Sequence, residues 1–448
     1  MILIAAGIIV PACSGQSLLD QVSFESGQLG GGLHLVGVSV FSGYSTSAYP
    51  QAGYLLPSST LNSLGGDGTY GASFSVGWQK HGQNGDFSAL YSGTYGGQIR
   101  YSNLDGYNQA LSVSAAYKLG PKWTFTLTGS GSDTTLAQYL YQPSPQNVLT
   151  QVPANFDDLA AAAGAGQYTN TEVAALLTGS PIVQSPGRSL LMADRVLSYT
   201  AQANLAYQAT ARLQIHFAGF AAAGQSLLSS QDNLVPVNYI MPRTIGANAG
   251  VGFSYAVSPL TQLGVDVEEM RTVNHFENVY TTTTTAFVGR KIGQSWFLNV
   301  HGGGTYNIVT QQSFGSPVGR QIIGGGSLGF RTGMNTFVGS YDRTGADGYG
   351  VAVGTITTTS GSWSWRQPGS RWGLFASFGE VQTRNAGFMS LSGWEGSGGI
   401  NMALNPHTFL TAQYVYMNNT GTYLGTYASM AIQSVRLSLG WAPQTVQR

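Results

Sequence analysis

Ionisable side chains are scarce in this sequence, and the ones able to do chemistry recur at every second position. Arg212, Gln214 and His216 form one such run. Asp266 and Glu268 alternate with Leu263, Val265 and Val267, and Asn299 and His301 alternate with Leu298 and Val300. Arg331 and Arg436 sit in similar stretches. Histidine can carry protons or hold a metal, and arginine can hold an anion. Their spacing selects neither role. No His, Cys, Asp and Glu cluster at metal-ligand spacing, so His216 and His301 read as isolated polar-face residues. Gly302, Gly303 and Gly304, like Gly324, Gly325 and Gly326, precede no helix and cannot cradle phosphate. There is no G-x-S-x-G nucleophile elbow, and no spacing of Ser, His and Asp singles out a triad. The expectation is no enzyme, no cofactor and no metal.

A two-residue period is that of a β-strand, whose successive side chains point to opposite faces. Residues 245–257 show it plainly. Ile245, Ala247, Ala249, Val251, Phe253, Tyr255 and Val257 share one face, and Gly246, Asn248, Gly250, Gly252, Ser254 and Ala256 the other. Leu111, Val113, Ala115, Tyr117 and Leu119 repeat the pattern, as do Trp123, Phe125 and Leu127, and Val435, Leu437, Leu439 and Trp441.

Composition says what such strands must do. Among 448 residues, 8% are charged, against roughly 25% in an average soluble domain. Hydrophobic residues reach 42%, and 62 glycines with many Ser, Thr, Asn and Gln fill the gap. A soluble surface needs more charge. A helical membrane protein needs apolar runs of about 18 residues or more, and none occurs. The remaining way into a bilayer is a closed sheet in which every backbone group is paired strand to strand. Net charge is zero, which gives nucleic acid no electrostatic footing.

Turn chemistry and aromatic placement agree. Residues 119–122, 208–211, 257–260, 366–370 and 404–407 are short connections rich in Gly, Pro, Ser and Asn. Longer ones lie near 47–68, 136–193 and 227–241. The alternating segments begin near residues 31, 69, 85, 107, 122, 195, 211, 243, 261, 277, 295, 319, 335, 350, 371, 389, 407 and 424, about 18 strands, with 16 as the alternative count. Tyr117, Trp123, Tyr207, Tyr255, Trp296, Trp372 and Trp441 lie near the short turns. There they would form a membrane-interface belt, with the ring in the apolar layer and the polar handle in water.

Residues 1–15 read as a signal peptide, truncated at its start because a positive n-region is missing. The lone cysteine, Cys13, falls inside it, leaving signal cleavage and lipidation as alternatives. Residues 16–30 are a short periplasmic segment, 31–442 the barrel and 443–448 a tail.

With these strands, this turn asymmetry and the terminal strand 434–441, the chain resembles the porin-like outer-membrane β-barrels of Gram-negative-type bacteria. The fold class implied is all-β: a single transmembrane antiparallel barrel. In that family the last strand ends on an aromatic residue recognised by the barrel-assembly machinery, a part Trp441 would take although 442–448 follow. The third extracellular loop of general porins folds into the lumen, and residues 136–193 would do so here. Asn155 can cap a helix carrying Asp157 and Asp158, and Glu172 completes a capping box with Thr169 before a second helix. Barrels of this family are often homotrimers, although no interface is legible in the sequence.

Because charge on the lipid face is costly, Arg212, His216, Asp266, Glu268, His301, Arg331 and Arg436 are expected to face the lumen and its constriction. With so few charges, ion selectivity should be weak. The implied function is passive passage of small, mostly neutral polar solutes across outer-membrane lipid. The alternatives are an outer-membrane component of a polysaccharide export or secretion system, or a blocked barrel acting as enzyme or adhesin.

Overall fold

A computed structural model describes residues 28–30, 33–46, 65–100, 106–135, 195–227, 243–273, 278–293, 295–311, 319–348, 351–367, 370–385, 389–405, 407–423 and 426–441. A three-residue strand, β1 (Gln28–Gly30), precedes eighteen long ones. The first half of the wall is β2 (Leu33–Ser45), β3 (Asp67–His81), β4 (Gly85–Gln98), β5 (Gly106–Lys118), β6 (Trp123–Thr135), β7 (Arg195–Gln208), β8 (Leu213–Leu227), β9 (Thr244–Ser258) and β10 (Thr261–Val273). The second half is β11 (Asn278–Ile292), β12 (Trp296–Gln311), β13 (Gly319–Thr332), β14 (Asn335–Gly348), β15 (Val351–Arg366), β16 (Trp372–Asn385), β17 (Met389–Ala403), β18 (Thr408–Tyr423) and β19 (Thr426–Trp441).

Each long strand pairs antiparallel with the next, and β19 returns to β2, from the Ser434/Ser45 pair to the Trp441/Val38 pair. The sheet is therefore a closed up-and-down barrel of eighteen strands, not sixteen, and β1 adds a short hairpin onto the start of β2. Closure removes the edge strands that an open sheet would expose to lipid. The expected strand starts agree with the observed ones to within two residues.

At one rim the strands join through short turns. Gly293 and Gly333 take φ of +62° and +51° there, left-handed values that glycine adopts without a Cβ penalty. Outer-membrane barrels carry such short turns at their periplasmic rim, and here β2 starts and β19 ends beside them. Connections at the opposite, outer rim are uneven. Residues 136–194 separate β6 from β7, whereas 349–350 separate β14 from β15 and 424–425 separate β18 from β19. The leader 1–15, Cys13, the loop 136–193 with Asp157, Asp158 and Glu172, and the tail 443–448 lie outside the described residues, and no helix occurs among those described.

Wall curvature sorts the two faces. Side chains on the concave face crowd together and those on the convex face splay apart. On β12, Trp296 is 40% exposed and Phe297 1%. The convex face carries Leu263, Val265 and Val267 on β10, and Val435, Leu437 and Leu439 on β19, all exposed to the surroundings. In water that skin would cost about 25 cal/mol per Å² of apolar surface; in a bilayer it costs nothing.

Candidate functional site: the barrel lumen

The concave face is mostly neutral and polar. Hydroxyls meet across strands in pairs: Ser39 with Ser73, Ser130 with Thr200, Ser132 with Ser198 and Ser377 with Ser397, each at 2.6 Å. Thr281 Oγ1 donates to Asn307 Oδ1 at 2.8 Å, and Thr411 Oγ1 to Asn401 Oδ1 at 2.7 Å. Cross-strand hydroxyl pairs of this kind stabilise a sheet by roughly 0.2–1 kcal/mol each. They also leave lone pairs and protons available to water in the bore.

Two histidines meet carboxylates by the same device. His216 on β8 and Asp266 on β10 are both in register with Gly252 on the strand between them. His216 Nε2 reaches Asp266 Oδ1 at 3.0 Å. A Cβ on Gly252 would fall 2.0 Å from Asp266 Oδ1 and 2.2 Å from His216 Nε2, so the pair occupies the space glycine leaves. His301 on β12 and Asp342 on β14 repeat this over Gly325 on β13, at 3.3 Å. Glu268, two residues beyond Asp266 on the same face, accepts from Asn248 Nδ2 at 3.4 Å. Among the described residues no three of His, Cys, Asp and Glu converge on one point.

The other expected site residues fall elsewhere. Arg436 faces inward on β19, its guanidinium 3.9 Å from the centre of the Phe41 ring, a cation–π contact. Arg331 lies on the concave face of β13, one residue from its periplasmic end. Arg212 is not on a wall strand, as its alternation with Gln214 and His216 suggested. It sits exposed in the turn before β8, where its carbonyl accepts from Ala256 N at 2.8 Å. The two-residue period does run through it, but β8 begins only at Leu213 because Thr210 closes the turn, its hydroxyl accepting from the backbone of Arg212 and Leu213.

Two features were not anticipated. The first is apolar: Phe41, Phe287, Phe297 and Phe375 are buried on the concave face. Phe41 lies over Gly71, Phe287 over Gly264 and Phe375 over Gly399. A phenylalanine in an alternating strand reads as lipid-facing, and only the neighbouring strand's glycine reveals the other choice. The second is a hairpin. The ladder between β13 and β14 stops at the Gly324/Arg343 pair, although β14 and β15 stay paired beyond it. In a flat wall β12 and β14 would lie about 10 Å apart. Yet a Cβ on Gly345 would begin 2.8 Å from Thr305 Oγ1 of β12 and 3.1 Å from Gln321 Oε1 of β13. Both of those side chains face the lumen, and β15 comes within 8 Å of β11, Cα to Cα. The outer half of the β14–β15 hairpin therefore leaves the wall and leans across the bore, narrowing it.

Outside, all seven aromatics expected near the short turns lie on the convex face. Trp123 packs against Tyr207 with the rings tilted and their centres 4.6 Å apart, and Trp296 against Phe330 in the same way at 4.1 Å. Tyr117, Tyr255, Trp372 and Trp441 are exposed there. A second, unanticipated belt faces the outer rim: Tyr44, Tyr70, Tyr95, Tyr107, Tyr199 and Tyr306. Tyr107 and Tyr117 are ten residues apart on β5, or about 25 Å of height for a strand tilted about 40°. That is the height of the apolar band of outer-membrane barrels.

No protein-family model and no curated protein matches the sequence. Among solved structures it is similar to the outer membrane protein opdK from Pseudomonas aeruginosa, at 11% identity and a TM-score of 0.42 over 90% of this chain and 97% of that one. It is similar also to Pseudomonas aeruginosa OccK3 (OpdO), at 12% identity and 0.42 over 95% and 97%. A bacterial polysaccharide outer membrane secretin follows at 8% and 0.32 over 90% and 98%. Closure and strand number rest on this chain's own ladders. Eighteen antiparallel strands closed on themselves, with an apolar skin between two aromatic belts, make this chain a membrane-spanning β-barrel of the outer-membrane type.

Proposed function

We propose that the barrel is a passive channel for small, mostly neutral polar solutes. The observation that carries this reading is the chemistry of the concave wall. Hydroxyls and amides dominate it, and two of its carboxylates lie against imidazoles rather than standing free. Such a wall exchanges hydrogen bonds with a hydrated solute at little net cost, since each bond to water is replaced by a comparable one. It offers no strong field to hold or repel an ion. The β14–β15 hairpin supports an upper size limit, because it takes bore away from one side. Arg331 and Arg436 bring positive charge to the concave face, and Asp266 and Glu268 bring negative.

Proteoliposomes test this directly. Swelling should be fast in a pentose or hexose and slow in oligosaccharides. It should be similar for a neutral sugar and for its acid or amine derivatives of equal size. Refolded barrel that leaves vesicles impermeable to pentoses would overturn the proposal.

A further inference from the structure

We propose that the wall carries a lateral cleft between the outer halves of β13 and β14, and that it binds a single-chain amphiphile with an anionic head group. The head meets Arg343 at the foot of the cleft, and the tail runs past Ile322 into the outer leaflet.

The strand ladders carry the case. β12 and β13 stay paired out to Asn307/Gly319, but the ladder between β13 and β14 ends at Gly324/Arg343. Among the described residues, 319–323 therefore have a partner strand on one side only. β14 does not simply stop there. Arg343 and Gly345 share one face of it. At Arg343 that face looks out of the barrel, since Asp342 beside it turns inward to His301. At Gly345 the same face lies over Thr305 and Gln321, on the concave side of β12 and β13. β14 thus passes from the wall to its inner side between these two residues, and β13 is left with an open edge. Lipid alone against such an edge would leave backbone N–H and C=O groups unsatisfied at high cost. A polar head group seated there removes that cost.

The side chains around the cleft fit such a guest. Ile322 is 79% exposed, more than any other large apolar side chain among the described residues. Beside it the skin turns polar. Arg343, Thr357 and Gln382 form one register row across the outward faces of β14, β15 and β16, whereas the row of Phe337, Trp363 and Ala376 below is apolar. Arg343 is eight residues from Asn335 at the inner end of β14, so it stands about 20 Å up a band about 25 Å tall. Arg320, two residues beyond Ile322 on the same face of β13, is exposed as well. Glu380, one row below Gln382, accepts from Gln382 Nε2 at 2.7 Å. Neither arginine forms an ion pair among the described residues. Two guanidinium groups flanking an exposed isoleucine match an anionic head and an apolar tail. A phospholipid brings two chains and keeps its head at the leaflet surface. A single chain with a small head can sink the remaining distance, about 5 Å, to Arg343.

The test uses the full chain refolded into phosphatidylcholine vesicles. The probe is palmitate with a photoreactive diazirine in mid-chain, and mass spectrometry locates the label. Residues 319–323 should carry about ten-fold more label than the exposed skin at Val435, Leu437 and Leu439 of β19, one decade being what a charge-assisted contact supplies. Excess unlabelled palmitate should abolish the difference, whereas phosphatidylglycerol added to the vesicles should not. The Arg320→Gln/Arg343→Gln variant should lose the preference while its label on β19 stays the same. A long-chain alcohol bearing the same diazirine should show no preference on either protein. Label spread evenly over the skin of the wild type would overturn the proposal, and that measurement needs no variant to fold. So would a preference that survives the loss of both arginines, or one that phosphatidylglycerol competes away. Labelling needs no open pore, so it stands or falls separately from the swelling assay.

Discussion

Consider an arginine placed at two adjacent positions of β19. Leu437 is on the convex face and 52% exposed. Ser438, next along, is on the concave face, in register with Phe41 and Thr411. Leu437 is four residues from Trp441, which marks the inner belt. At about 3.3 Å per residue and a tilt of about 40°, that is about 10 Å into a band about 25 Å tall, close to its middle. An arginine on the lipid face at that depth costs about 2–4 kcal/mol, whereas one on the lumen side meets water and costs about 1 kcal/mol or less. At 1.4 kcal/mol per decade, Leu437→Arg should lower the folding equilibrium constant roughly 30- to 700-fold. Urea-induced unfolding from lipid vesicles, followed by tryptophan fluorescence, measures both variants on one scale. Ser438→Arg should keep most of the wild-type stability. If it costs as much as Leu437→Arg, the two faces have been assigned the wrong way round, and the lumen described here is not a lumen.

Two further outcomes follow from the glycines. Gly345→Leu starts a side chain 2.8 Å from Thr305 Oγ1, so the β14–β15 hairpin should lift from the wall; single-channel conductance should rise and larger sugars should enter, with the urea midpoint little changed. Gly264→Ala forces a methyl to 2.1 Å from the Phe287 ring, whereas a Cβ on Gly302 meets nothing within 4 Å; the first should cost about 1–3 kcal/mol in the same unfolding assay, as overpacking does, and Gly302→Ala should be neutral or mildly stabilising.

The wall was legible because a strand half in lipid must alternate. Ile245, Ala247 and Ala249 against Gly246, Asn248 and Gly250 cannot be read at a helical period, and the charges at Asp266 and Glu268 fall on the side away from Leu263 and Val265. The outer belt follows from the same period. Tyr107 shares its face with Tyr117, and Tyr306 shares its face with Trp296, ten residues away in both cases. What sequence could not show is whatever depends on a neighbouring strand. His216 and Asp266 are fifty residues apart, and nothing in either strand announces Gly252 between them. The inward lean of the hairpin depends on where one ladder ends, at Gly324/Arg343, and neither strand carries a proline or charge run to mark the place. Arg212 failed for a simpler reason: a two-residue period continues through a turn, whereas a wall does not.

A wide barrel poses a packing problem that composition answers. The inner wall has no opposite layer close enough to fill its hollows, so large inward side chains either stand up into the bore or lie flat against the wall. Lying flat requires a neighbour with no side chain. Phe41 over Gly71, Phe287 over Gly264, Phe375 over Gly399 and the His216–Asp266 pair over Gly252 are four cases of one solution. Each buries its bulk on the wall and leaves the water column clear. Glycine weakens an isolated strand, by entropy and by the packing it forgoes, but here the packing comes from next door. On this view the 62 glycines and the scarcity of charge share a cause. Groups that need hydration or counterions would have to project into the bore, and a wall whose side chains lie flat keeps them few and holds them down.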